Sequence, residues 1–240
     1  MSNPEFDNPF ARPRSQDTGE RPEPAAWKRV TLGLRLWMVQ QGLTLLQDAV
    51  LAGVSQQIKT TGQANDTGLW LYAAISWLMI LVRIAGSFLL LAVPRRHSMR
   101  GLATAVFAFS IAAPVADISV SAIVHASSTT VPITVPLNLA RAASLLHQAF
   151  SIATLLLLVR MSEDLRQRNL TPALKTATAA TFALFAIAYS GALTGHLWVG
   201  TILQWGHRAL IVFEIVAVYR LIGATLSESE RHAAHASHSD

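Results

Sequence analysis

Six apolar runs divide the chain: Val30 to Ala52, Leu69 to Val93, Leu102 to Val124, Leu137 to Met161, Ala173 to Leu193 and Trp198 to Arg220. At about 1.5 Å per residue, each is long enough to cross a hydrocarbon core of about 30 Å. The pattern therefore predicts an all-α, polytopic membrane bundle of six transmembrane helices. Pro114 falls at the middle of the third run and should kink it. The fifth run is rich in Ala and Thr, whose small side chains permit close helix contact.

The first run is the least apolar. Its Trp37, Gln40, Gln41, Thr44, Gln47 and Asp48 fall within about a third of the helix circumference. A helix lying on the membrane surface would show such a face, but there it would carry Lys and Arg, and Asp48 would be repelled by anionic lipid. A spanning helix with its polar face turned inward is the expectation. The fourth run has the same character: Arg141, Ser144, Gln148 and Ser151 form one stripe flanked by His147, and lipid would not solvate that stripe.

Residues 1–26 contain five prolines and no periodicity, which predicts a hydrophilic tail without structure. The transmembrane domain is expected over 27–224, and 225–240 is expected to be a second polar tail that frays.

Composition narrows the class. The chain has 240 residues, of which 52% are hydrophobic and 14% charged, and a mean hydropathy of +0.38. Nineteen Lys and Arg exceed fourteen Asp and Glu, but most of the cations flank apolar runs, so they report topology and no nucleic-acid partner is expected. Arg12, Arg14, Arg21, Lys28 and Arg29 precede the first run. Arg95, Arg96 and Arg100 lie between the second and third, Arg160, Arg166, Arg168 and Lys175 around the fourth connection, and Arg220 and Arg231 follow the last run. The alternate connections hold only Lys59. Because Lys and Arg are retained inside, both termini are expected to be cytoplasmic, in a plasma or inner membrane. The absence of cysteine excludes disulfides, thiolate metal sites and cysteine nucleophiles.

Charges lie within the runs, where each costs at least about 2.5 kcal/mol if isolated. They are Arg35, Arg83, Arg141 and Arg208 with Asp48, Asp117 and Glu214. Arg35 is near enough to the inner surface to snorkel. Matching the others by depth alone pairs Arg141 with Asp48, Arg208 with Asp117, and Arg83 with Glu214. With Gln40, Gln41, His147, Gln148 and His207, these residues form the candidate polar interior. His147 and His207 fall near mid-bilayer on runs four and six, the placement a bis-histidine haem b would need. The other role for such a histidine is in a hydrogen-bond network or proton relay.

Other chemistries find less support. An intramembrane serine hydrolase would need an activated serine, and Ser144 stands in Arg-Ala-Ala-Ser-Leu without framing glycines. No phosphate loop, paired-aspartate motif or HExxH is present. Asn65-Asp66-Thr67 is a glycosylation sequon, meaningful only on a secretory route. The leading reading is a non-enzymatic membrane protein whose polar interior binds or moves a small polar or anionic solute, or which serves as a subunit of a membrane complex or a homo-oligomer. The alternative is a b-type haem electron-transfer protein using His147 and His207.

Overall fold

Each apolar run lies on one helix of the computed structural model, which describes residues 24–63, 66–93, 99–126, 134–194 and 197–237. The helices are α1 (Pro24–Thr61), α2 (Asp66–Leu90), α3 (Met99–Ala126), α4 (Thr134–Asp164), α5 (Leu170–Thr194) and α6 (Leu197–Ser237). The expected tail over 1–26 falls outside the described residues except at its end, where α1 has begun and Trp27 is buried. His125 and Gln204 have side chains outside the described set, and His196 and Asn65 lie outside it altogether.

Five helices, α2 to α6, are long and apolar enough to cross a membrane. α1 is not among them, and its neighbours explain how it is accommodated. It runs antiparallel to α2 for the whole length of that helix: Gly33 packs on Gly86, Thr44 donates to Met79 Sδ, Gln47 donates to Ser76, and Val54 packs on Gly68. On its other side it runs antiparallel to α6, through Thr31 with Thr225, Gln41 with Glu214, and Asp48 with Arg208. Gln41, Gln47 and Asp48 are thereby turned to protein. Leu32, Val39 and Leu46, at intervals of seven, are left exposed as an apolar stripe. The close approach of α1 and α2 requires glycine: a Cβ on Gly33 would lie 3.0 Å from the Gly86 carbonyl oxygen.

Consecutive helices are neighbours around the bundle and α6 returns to α1, so the six close into a ring, with a slight backbone contact between α4 and α6 across it. Thr31 beside Thr225 brings the beginning of α1 and the end of α6 to the same end of the ring. That end is packed: Leu34, Leu90, Val106, Leu158, Val218 and Leu221 are all buried. Toward the opposite end Val54, Ile75, Ala143 and Ile211 are buried. The main apolar cluster lies at the end that holds the termini.

The polar segment from Ser227 does not fray as expected. It continues α6 as far as Ser237, with Ser229 buried and Glu228 accepting from Arg231 three residues on. Its Ala, Glu and Arg are good helix formers, and their polarity concealed the continuation.

Candidate functional site

At the edge of the main apolar cluster, four helices turn buried polar and aromatic side chains into the ring. α1 supplies Trp37, Gln40 and Gln41, α2 supplies Arg83, α4 supplies Phe150 and α6 supplies Glu214, each no more than 8% exposed. The sequence sets this up by spacing. Trp37, Gln40, Gln41 and Thr44 recur every three or four residues on α1, and Phe150 lies three residues after His147, so each group shares a helix face.

Arg83 is the centre of the cluster. Its guanidinium stacks 3.5 Å from the Phe150 ring centroid, and Trp37 packs on Phe150 with centroids 5.2 Å apart. Nη1–H donates to His147 Nδ1 at 3.2 Å. With Nδ1 accepting, the His147 proton resides on Nε2, which donates to Asp117 Oδ2 at 2.7 Å. Three helices are thereby linked by a directed chain from Arg83 through His147 to Asp117. The chain rises from a buried cation to a half-exposed carboxylate, Asp117 being 52% and His147 41% exposed.

Arg83 is not satisfied by these contacts. Its Nε and Nη2 are buried, and neither has a hydrogen-bond partner among the described residues. These two nitrogens form one edge of the planar guanidinium, the edge opposite the one used toward His147, and they present parallel N–H donors. Gln40 Oε1 is another buried polar atom in this layer without a partner among the described residues. Each unsatisfied buried donor costs about 1–3 kcal/mol, so the edge is a standing demand for an acceptor.

The depth-matched pairs are corrected at every member. Arg208 Nε donates to Asp48 at 3.3 Å, where Asp117 was expected. Asp117 takes His147 instead, and Glu214 takes the Gln41 amide instead of Arg83. Arg141, expected to pair with Asp48, is exposed and makes no ion pair among the described residues. The reason lies in the ring order. α1 neighbours α2 and α6, so Asp48 reaches Arg208, while α3 neighbours α2 and α4, so Asp117 reaches His147. Depth is one coordinate, and the helix neighbours supply the other.

His147 and His207 are not brought together. Both ring nitrogens of His147 are engaged by protein, which leaves none to ligate iron. His207 is exposed on α6 and lies within the field of Asp48. No group of three or more His, Asp or Glu side chains among the described residues could hold a metal ion. Nothing among the described residues supports the bis-histidine pair that haem requires. Gln148 is half-buried on α4 beside this layer.

Sequence reasoning passed over Phe150 as a partner of Arg83, although its place on the His147 face was a usable signal. It also missed three hydroxyl bridges between helices, Thr31 with Thr225, Ser87 with Ser110, and Ser162 with Thr171. Serines and threonines are too common in such helices to mark these pairs. Fold and site together define an all-helical protein with the character of an integral membrane protein and a buried, charge-bearing interior. Comparison with family models, with curated proteins and with solved structures gave no match.

Proposed function

We propose that this is a non-enzymatic integral membrane protein that binds or moves a small anionic solute in the interior of the six-helix ring, with Arg83 as the binding cation. The observation that carries this reading is the unpartnered Nε and Nη2 edge of a guanidinium that is only 8% exposed. Two parallel N–H donors match an anion that offers two oxygens in one plane, as a carboxylate or nitrate does, and such forked pairs are among the stronger hydrogen bonds. Stacking on Phe150 fixes the plane of the fork. We place the end bearing the termini in the cytoplasm, because Lys28, Arg100, Arg160, Arg166 and Lys175 all belong to it.

The test is thermal stability of the purified protein in lipid nanodiscs, titrated with formate, nitrate or chloride at fixed ionic strength. Formate and nitrate should raise Tm in a saturable way and chloride much less. Arg83→Lys, which keeps the charge and loses the fork, should abolish the difference between the anions. A linear response shared by all three anions, or an unchanged preference in Arg83→Lys, would overturn the reading.

A further inference from the structure

A second polar cluster lies outside the ring, at the packed end, and the interior site does not use it. Glu163, in the last turn of α4, accepts from Arg160 at 2.9 Å on one carboxylate oxygen and from Lys175 of α5 at 2.8 Å on the other. Two cations therefore converge on one carboxylate and leave a local charge of +1. Both remain open to a further partner, the Arg160 side chain being 53% and that of Lys175 60% exposed. The turn between α4 and α5 that sets this geometry is tight. Arg166 adopts a left-handed φ of 53°, and Ser162 and Thr171 hydrogen-bond across it.

The cluster caps one end of a groove of about 640 Å³ between α3, α4 and α5. Leu102, Leu156, Val159 and Phe182 give the groove apolar walls that lead away from the charges toward the middle of the helices. Leu156 lies one helical turn from Arg160 and Phe182 two turns from Lys175, so the apolar part begins within about 6–10 Å of the cations. Leu156 and Phe182 are exposed. A groove that is cationic at its end and apolar along its length, on the outer surface of membrane-crossing helices, complements a molecule with the same division.

We propose that this groove is a binding site for one anionic phospholipid, with the phosphate between Arg160 and Lys175 and the upper part of an acyl chain along Leu156 and Phe182. Charge complementarity selects an anionic headgroup over a zwitterionic one. Glu163 acts against the lipid as well as for the helices: it holds the two cations in register and also competes with the phosphate for them. Removing its charge therefore separates the two roles.

Native mass spectrometry of the full chain, released from mixed micelles of phosphatidylglycerol and phosphatidylcholine, reads the site directly. The wild type should retain phosphatidylglycerol in preference to phosphatidylcholine. Arg160→Gln with Lys175→Gln should lose that preference by about fivefold for each cation removed. Glu163→Gln should strengthen phosphatidylglycerol retention, although it weakens the bridge between α4 and α5. A purely structural cluster gives the opposite sign, so unchanged or reduced retention in Glu163→Gln would overturn the proposal. Equal retention of both lipids would overturn it too. So would retention of inorganic phosphate by a protein indifferent to phosphatidylglycerol, which would make the cluster a site for a soluble anion.

Discussion

Asp48 and Arg208 show how a charge is kept inside this chain. The two side chains are only about a third exposed, at 32% and 27%, so neutralising one strands the other in a poorly solvated place. A double-mutant cycle with Asp48→Asn and Arg208→Gln should give a coupling of about 0.5–2 kcal/mol, measured as unfolding in detergent. The parallel cycle with Asp117→Asn and Arg208→Gln should give none, because Asp117 belongs to His147. Equal coupling in the two cycles would restore the pairing by depth. Which charges lie within the apolar runs was legible, but of these only Arg83 and Glu214 are buried, while Arg35 and Arg141 are exposed. Who partners whom was not legible. Pairing needs the angular position of each helix and the order of helices around the ring, and neither is encoded in spacing along one helix.

At the scale of the element, α1 is the informative case. Its polar face was readable from residues recurring every three or four positions, and that face does turn to protein through Gln41, Gln47 and Asp48. Its contact with α2 was not readable, because Gly33 and Gly42 look alike in sequence. In the structure they differ: a Cβ on Gly33 would crowd the Gly86 carbonyl oxygen and Leu89, while one on Gly42 meets nothing within 4 Å. Gly33→Val should therefore cost about 1–3 kcal/mol by overpacking, whereas Gly42→Ala should be neutral or stabilise by up to about 1 kcal/mol through helix propensity. Thermal unfolding of the two variants in one detergent checks this, and similar losses in both would mean that α1 does not dock as described. The end of α6 carries the complementary lesson. Polarity alone suggested a fraying tail, yet a polar segment of helix formers can continue a helix past the apolar stretch, as it does to Ser237.

For the whole molecule, the six apolar runs and the all-helical architecture were written in hydropathy, because a membrane helix must be apolar over a length set by the bilayer. The ring closure of α6 onto α1 and the packed end were not, since they depend on which faces meet. Arg83 is stacked on Phe150 and linked through His147 to Asp117. The most direct measurement is a crystal structure of the protein grown or soaked in bromate, whose bromine scatters anomalously and whose oxygens can meet the fork. The account predicts an anomalous peak inside the ring, with bromate oxygens within hydrogen-bond distance of Arg83 Nε and Nη2 and the His147 contact intact. Arg83 Nε and Nη2 bonded instead to protein side chains, with no anomalous peak inside the ring, would contradict it.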